Sequence, residues 1–368
     1  MKIVSVIEYF RPEIGGLEKS TERLSQQLAK YGNEVKIVTK KIDNTLSKEI
    51  KDNIEIERYE DTPDAPFTKN AEKNNAFYNA DIICVFGVGH DKEAKRLKPI
   101  FDSKAGKYIK IGTQGDIVAE KINYDLYKCF NGILCQNDAL INEAISIGVP
   151  KEKCFRIKNG IDISAWKKDL KDKKYYRNTL QIPEDTFVFS VIGRLVKRKN
   201  VPLIINAFLE HTKSNNKFGN NKLIIQGSDF GQHDGEEIKI KELIKEQEKN
   251  IIFLDANDNV YAALGASDVF ITMGEREGAP NIIIEALASR KPCIVSDIPG
   301  HTVYIQDEEN GFLSKIEKNN LKNIMDNFSL LPTHEYKKMT NKAEKKSHEF
   351  DIKDTAKIYL EIFKKFIG

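Results

Sequence analysis

The stretch GEREGAPNIIIEALASRKPCIVSD, residues 274–297, decides how the rest of the sequence is interpreted. It holds two glutamates, Glu277 and Glu285, with seven residues between them. The segment after Pro280 is apolar on nearly every side, and this pattern predicts a buried helix. Because a lone ionised carboxylate is costly inside a core, we expect Glu285 near the exposed first turns of that helix, facing polar groups or a ligand.

The loop before this helix combines an acid with the features of an anion site. Glu277 is followed by Gly278, which removes a side chain, and by Pro280, which suits the first position of a helix. Backbone N–H groups at a helix start attract anions. Two acids beside such a start suit a ligand that carries both phosphates and hydroxyls, whereas either acid alone would be an ordinary surface charge.

The pattern EG-x-PN followed by EA-x-A-x-x-x-P resembles the EX7E element of the family four (GT4) retaining glycosyltransferases, a GT-B group that uses nucleotide sugars. This resemblance implies an α/β chain with two Rossmann-like, doubly wound domains that face an interdomain cleft. It covers almost the whole chain, and it is strongest over residues 186–315 and weakest over residues 40–130.

Length and composition agree with a two-domain globular protein. The chain has 368 residues, and this length exceeds what one core usually organises. Of these residues 40% are apolar and 31% are charged, as in an ordinary globular protein. A net charge of +3 argues against a nucleic-acid binder. The odd number of scattered cysteines, five, is typical of reduced thiols in a cytoplasmic protein. We expect no signal peptide and no membrane-spanning run of roughly 18 apolar residues, so any contact at the inner membrane face would be peripheral.

The first half begins with a strand, a glycine loop, a helix and a second strand, which is typical of a parallel α/β sheet. The pair Gly15-Gly16 stands in this loop, where a tight turn alone would explain it. The string P-x-IGG-x-E also resembles the family's first loop, in which the glycines border the cleft. The resemblance therefore makes Gly15 and Gly16 donor-binding candidates.

The acceptor side departs from the family pattern. The family often carries a histidine after a strand of the first domain, close to the reacting sugar, and this chain has Thr113 and Gln114 there. Gln114 could still donate a hydrogen bond. His90 is the other acceptor-side candidate. The basic run 91–110 is interpreted as a solvated helix face, and contact with an anionic lipid or a phosphate-bearing acceptor stays open as the alternative.

The domain boundary follows the phrase FRIKNGIDISAW at residues 155–166, which resembles the family's passage from the first domain into the linker. We expect a first domain at residues 1–165 and a second, nucleotide-sugar-binding domain at residues 186–345. By family analogy the amphipathic helix at residues 352–368 returns to pack on the first domain.

The second domain opens with a strand that leads into GRLVKRKN. Arg194 and Lys199 stand at the carboxyl end of this strand, where two cations can hold a diphosphate. The pattern GRL-x-x-x-K also resembles the family's diphosphate clamp. Of the residues in KRK, spacing favours Lys199, and we expect Lys197 and Arg198 to face solvent.

The resemblance implies a retaining transferase that moves a sugar from a nucleotide diphosphate sugar to a glycan, a lipid-linked acceptor or a protein. We favour a UDP-linked over a GDP-linked donor, although the sequence does not fix the base. Glu277, Arg194 and Lys199 are the catalytic candidates, and Glu285 would hold the ribose hydroxyls. We expect no cofactor and no metal, since the sequence has no DxD triplet. A non-catalytic GT-B partner subunit and a sugar-nucleotide epimerase are the alternatives. The full set of donor-binding candidates is Gly15, Gly16, Gly193, Arg194, Lys199, Gly227, Glu277, Gly278, Ala279, Pro280, Asn281 and Glu285.

Overall fold

The computed structural model describes residues 1–12, 15–87, 100, 107–111, 129–213, 220–229, 235–245, 249–257 and 259–367. The chain divides into two compact units: Met1–Asp162 with Phe350–Gly368, and Ile163–Glu349. The acceptor-side candidates His90, Thr113 and Gln114 lie outside the described residues, as does most of the basic run 91–110.

The described residues of the first unit form an eight-stranded sheet. Its strands are β1 (Lys2–Val6), β2 (Glu34–Lys40), β3 (Lys48–Lys51), β4 (Ile54–Tyr59), β5 (Ile82–Val85), β6 (Lys107–Ile111), β7 (Gly132–Cys135) and β8 (Cys154–Arg156). The order across the sheet is β3-β4-β2-β1-β5-β6-β7-β8, and only the edge strand β3 runs antiparallel to its neighbour.

The described residues of the second unit form a six-stranded sheet. Its strands are β9 (Phe187–Ile192), β10 (Asn221–Gln226), β11 (Ile251–Leu254), β12 (Val269–Thr272), β13 (Cys293–Ser296) and β14 (Gly311–Ser314). They are parallel and lie in the order β11-β10-β9-β12-β13-β14. Because β9 lies between β10 and β12, the order reverses there, and the loops that leave β9 and β12 emerge side by side at one edge.

The described helices, in chain order, are α1 (Gly16–Lys30), α2 (Phe67–Lys73), α3 (Asp138–Ser146), α4 (Ile163–Asp169), α5 (Lys173–Thr179), α6 (Val201–Lys213), α7 (Glu236–Lys245), α8 (Tyr261–Ala266), α9 (Asn281–Ala288), α10 (Pro299–Thr302), α11 (Lys318–Ser329), α12 (Thr333–Ser347) and α13 (Ile352–Ile367). Short 3₁₀ turns occupy Lys151–Lys153, Lys197–Lys199 and His348–Phe350. Within the described part of the chain, none of the helices has the length and apolar composition that crossing a bilayer requires.

Both sheets are covered on both faces, which explains why their inner strands are apolar at consecutive positions. In the first unit, Ile3 faces a core that includes Leu24 of α1 and Phe363 of α13, while Val4 faces the opposite core. In the second unit, Phe189 belongs to the core beneath α6 and α11, and Val188 to the core beneath α5 and α8.

The last helix, α13, belongs to the first unit. Ile161 donates its N–H to Phe350 O at 3.1 Å, and Ile352 donates its N–H to Ile161 O at 2.9 Å. Gly160 makes this approach possible, because a Cβ at that position would lie 2.9 Å from the Cα of Ile352. The chain therefore returns beside the point at which it leaves the first unit.

Candidate active site

The loops that follow β9 and β12 are tied together by hydrogen bonds. Asn200 adopts a left-handed conformation with φ of 53°. Its side-chain Nδ2 donates to Met273 O at 3.0 Å and to Glu275 Oε1 at 3.2 Å. The backbone N–H of Glu275 donates to Arg198 O at 3.0 Å. These bonds hold the 3₁₀ turn Lys197–Lys199 against the loop that carries Glu277.

Glu277 lies between two cations at this junction. Lys199 Nζ is 2.5 Å from Glu277 Oε1, and Arg198 Nη1 is 2.8 Å from the same oxygen. The side chain of Glu277 is 10% exposed, that of Lys199 16% and that of Arg198 33%. Burial alone would raise the pKa of Glu277, but the charges of Lys199 and then Arg198 outweigh burial and hold that pKa below its ordinary value. Glu277 is therefore ionised at neutral pH.

Two glycines fix the position of Glu277. A Cβ at Gly300 would lie 2.0 Å from the carbonyl oxygen of Glu277, so any side chain there would push the loop away. A Cβ at Gly274 would lie 3.0 Å from Glu277 Oε1, which is tighter than ordinary van der Waals contact. The absence of these two side chains lets the loop close around the carboxylate.

His301 lies beside this loop and is fully buried. Its Nδ1 is 3.0 Å from Ser296 O and 3.0 Å from Ser296 Oγ, and Ser296 Oγ donates to Gly274 O at 2.5 Å. Burial lowers the pKa of His301 to about 4, against the opposing effect of the Glu277 charge. His301 is thus neutral at neutral pH.

Arg194 and Lys199 line one depression at the end of β9, together with Gly193 and Thr272. Gly193 has φ of 145°, and a Cβ built on it would meet no atom within 4 Å, so its backbone faces open space. The depression therefore brings two cations and an uncovered stretch of backbone to the strand end at which ligands of such sheets bind.

Gly227 packs against this stretch from the end of β10. A Cβ at Gly227 would lie 1.9 Å from Gly193 O, and the neighbouring Leu195 donates its N–H to Ser228 O at 2.8 Å. The loops after β9 and β10 are thus in backbone contact, and Gly227 leaves no room for a side chain.

We expect Gly227→Ala to displace the loop that carries Gly193 and Arg194. Such overpacking costs about 1–3 kcal/mol, and differential scanning calorimetry should show a lowered melting temperature. Gly16→Ala is the stability control, because a Cβ on Gly16 meets nothing within 4 Å. An unchanged melting temperature in Gly227→Ala would contradict this prediction.

The start of α9 differs from the expectation for Glu285. Gly278 and Ala279 are buried, Pro280 precedes the helix, and α9 begins at Asn281. Seven of the eight residues of α9 are buried, and Glu285 is only 3% exposed, so the expected position near an exposed turn is wrong. The helix is covered by α4 and α12, and this packing buries the acid.

The contacts around Glu285 hold α9 to α4. Ser289 Oγ donates to Glu285 O at 2.8 Å, and Trp166 Nε1 donates to Ser289 Oγ at 2.9 Å. A role for Glu285 with the ribose stays a prediction.

The remaining candidates belong to the first unit. Gly15 precedes α1, its O accepts the N–H of Lys19 at 3.1 Å, and Gly16 is the first residue of the helix. Among the described residues of the chain, no three His, Cys, Asp or Glu side chains form a group that could hold a metal ion.

Sequence reasoning missed Arg198. We expected it to face solvent, but it contacts Glu277 and donates from Nη1 to Arg276 O at 3.2 Å, so that expectation is wrong. The only signal in the sequence was the basic triplet KRK, and spacing alone favoured its last member. The 3₁₀ turn at these residues lets two members of the triplet reach the same carboxylate.

Residues 172–346, nearly all of the second unit, match the family described as "Glycosyl transferases group 1". Among curated proteins, the chain is 30% identical over 200 residues to the UDP-Gal:alpha-D-GlcNAc-diphosphoundecaprenol alpha-1,3-galactosyltransferase of Escherichia coli, a match that covers 51% of this chain and 48% of that enzyme. It is 25% identical over 328 residues to the N-acetyl-alpha-D-glucosaminyl L-malate synthase of Bacillus anthracis, covering 83% of this chain and 82% of that protein. The chain thus spans about half the length of the first relative and most of the second.

Among solved structures, HepE from Anabaena in complex with UDP-glucose superposes with a TM-score of 0.81 at 17% identity. The match covers 99% of this chain and 100% of HepE. At this level of identity the likeness concerns the fold, and it confirms the GT-B class, with Rossmann-like α/β sheets, that the sequence predicted.

Proposed function

We propose that this chain, whose residues 172–346 match the family described as "Glycosyl transferases group 1", transfers a sugar from a UDP-sugar to a hydroxyl acceptor with retention of anomeric configuration. The observation that carries the proposal is the ion pair of Glu277 with Lys199, a residue that lines the same depression as Arg194. An acid that can bind hydroxyls and two cations that can bind phosphates therefore lie at the same edge of the sheet. A nucleotide diphosphate sugar carries both kinds of group.

The two cations would bind the diphosphate. Breaking the bond from the anomeric carbon to the phosphate oxygen leaves the electron pair on the diphosphate, so negative charge grows there in the transition state. Preorganised cations stabilise such charge more strongly than bulk water does. Arg194 and Lys199 take this role, and the N–H groups at Gly278–Asn281 would add to it.

Glu277 would bind hydroxyls of the donor sugar. As an ionised carboxylate it only accepts hydrogen bonds, and its charge favours the positive character that develops at the anomeric carbon. The acceptor oxygen forms the new bond on the face that the diphosphate leaves. Its proton passes to a diphosphate oxygen, so no protein nucleophile is required.

The proposal of UDP and of the acceptor class is based on what similar proteins are named for or were solved with. The Escherichia coli relative is named for UDP-Gal and a diphosphoundecaprenol-linked acceptor, and HepE was solved with UDP-glucose. We therefore propose a UDP-sugar donor and a glycan, lipid-linked or protein acceptor. Lipid-linked acceptors would bring the enzyme to a membrane surface.

A screen of UDP- and GDP-sugars for hydrolysis and transfer tests the proposal, with NMR of the product to assign the anomeric configuration. We expect turnover of a UDP-sugar and a product with the donor's configuration. Binding of neither UDP nor GDP would instead indicate a non-catalytic partner subunit. Epimerised donor without any acceptor product would indicate an epimerase.

We expect Lys199→Ala and Arg194→Ala each to weaken UDP binding far more than uridine binding, because uridine lacks the diphosphate. Hydrogen bonds to charged groups contribute about 1.5–3 kcal/mol, which corresponds to roughly 10- to 150-fold in affinity for UDP. Isothermal titration calorimetry with both ligands measures the difference. The exposed neighbour Lys197 supplies the control, Lys197→Ala. Equal losses for UDP and uridine would contradict the assignment of these cations to the diphosphate.

A further inference from the structure

Under the proposed function, Lys199 interacts with two anionic groups, the carboxylate of Glu277 and the diphosphate of the donor. In the structure its ammonium contacts Glu277, and under the proposal it binds the diphosphate of the donor. A single ammonium that turns toward a diphosphate gives up much of its contact with the carboxylate. Glu277 would then lose the nearest charge that keeps it ionised, at the moment when it must bind the sugar.

Arg198 supplies a second cation whose position does not depend on Lys199. Its Nη1 bridges Glu277 Oε1 at 2.8 Å and the carbonyl oxygen of Arg276 at 3.2 Å. Its own carbonyl accepts the N–H of Glu275 at 3.0 Å. Arg198 is therefore attached to the Glu277 loop through both its backbone and its side chain.

Among the described residues, charged and titratable groups from two elements act on Glu277. Lys199 and Arg198 approach from the 3₁₀ turn after β9, and His301 approaches from α10. His301 is neutral near pH 7 because burial lowers its pKa to about 4. Once Lys199 turns away, Arg198 is the cation among these three groups that remains on Glu277.

We propose that Arg198 is a positioning residue that holds Glu277 in place and ionised when the donor diphosphate draws Lys199 away. The shortest contacts of both cations end on Oε1 of Glu277. Lys199 then passes from carboxylate to diphosphate, while Arg198 stays. This inference rests on the proposed function, and it concerns the donor complex in particular.

The pH dependence of turnover tests the proposal in Arg198→Ala, Arg198→Lys and the control Lys197→Ala. The acidic limb of kcat reports groups in the enzyme–donor complex, and that of kcat/KM reports groups in the free enzyme. In Arg198→Ala we expect the kcat limb to move up by roughly one pH unit, since loss of a neighbouring opposite charge has effects of this size. The kcat/KM limb should move less, because Lys199 still contacts Glu277 in the free enzyme.

Arg198→Lys should recover part of the shift, and Lys197→Ala should leave both limbs unchanged. A purely structural role for Arg198 would lower the melting temperature without moving the kcat limb. An unmoved kcat limb, or equal movement of both limbs, would overturn the proposal.

A measurement without turnover separates this inference from the proposed function. Carbon-13 NMR of side-chain carboxyls in glutamate-labelled protein, with Glu277→Gln to assign the signal, follows the titration of Glu277 at saturating UDP. A higher pKa of Glu277 in UDP-bound Arg198→Ala than in the UDP-bound wild type supports the role of Arg198. Tight UDP binding with an unchanged titration overturns this inference alone. Binding of neither UDP nor GDP overturns the proposed function and this inference with it.

Discussion

Replacing Glu277 by Gln is expected to reduce kcat roughly 10²–10³-fold, the loss typical of removing one group that stabilises transition-state charge. Gln keeps the size of the side chain and one acceptor oxygen but carries no charge. Under the proposed function it therefore leaves the positive character at the anomeric carbon without its counter-charge. It also leaves Lys199 and Arg198 without the acid that now lies between them.

The measurement is the rate of sugar transfer at saturating donor, together with the melting temperature. Both cations are partly exposed, so water can solvate them and the melting temperature should change little. Glu275→Gln is the matched control, because this acid stands two residues away, is exposed, and keeps an acceptor for Asn200 after the change. Transfer at the wild-type rate in Glu277→Gln would refute a role for this carboxylate in the reaction.

Stability should rise with pH between pH 7 and 9 because of one buried lysine, Lys291. Burial lowers the pKa of Lys291 to about 7, with the nearby Lys173 acting in the same direction. Its Nζ donates to Ser267 O at 2.7 Å and to Gly265 O at 3.3 Å. In the unfolded chain the group returns to an ordinary lysine pKa near 10.5. The unfolded state therefore binds more protons than the folded state above pH 7, and raising the pH favours folding.

The size of this pH-dependent stabilisation follows from the lowering of the pKa of Lys291. A displacement from 10.5 to about 7 corresponds to roughly 4–5 kcal/mol when integrated over the whole window, of which about 2 kcal/mol is gained between pH 7 and 9. The pH range over which stability rises must end near pH 9. Burial raises the pKa values of Cys293 and Tyr336, so at higher pH these groups lose their protons in the unfolded state first, which favours unfolding.

Thermal unfolding of Lys291→Met at pH 7 and pH 9 checks the sign. The variant loses two hydrogen bonds and can be less stable overall, so the informative quantity is the change in melting temperature between the two pH values. We expect a rise in the wild type and in Lys168→Met, which replaces an exposed lysine of the same unit, and a smaller rise in Lys291→Met. The same pH dependence in all three proteins would show that Lys291 stays protonated in the folded state up to pH 9 and would contradict this prediction.

The general architecture could be predicted because it follows from local pattern. Consecutive apolar residues such as IICV in β5 and CIVS in β13 indicate strands covered on both faces, and the alternation with helices indicates parallel sheets. The strand β3 at Lys48–Lys51 was not predicted, since KEIK has no apolar run and forms a strand only by pairing with β4. Pairing of that kind depends on the partner strand, which local pattern does not specify.

In the candidate site, too, local sequence pattern predicted some features, whereas others depend on contacts with other parts of the chain. The positions of Arg194, Lys199 and Glu277 at strand ends followed from counting residues along each strand and loop. The orientation of the Arg198 side chain toward Glu277 could not be predicted by counting residues. It depends on the short 3₁₀ turn and on the left-handed Asn200 that ends this turn. The burial of Glu285 was also beyond local reasoning, since it results from α4 and α12 covering α9 rather than from the residues beside it.

The membership of α13 in the first unit sets an order for folding during synthesis. The second unit is one continuous segment, so it can fold as soon as its residues have left the ribosome, whereas the first unit can complete its core only after α13 has been synthesised. Until then, the apolar surface that Ala356, Tyr359 and Phe363 will cover stays open to water. A nascent chain that has not yet reached α13 is thus most exposed to aggregation and proteolysis at the sheet of the first unit.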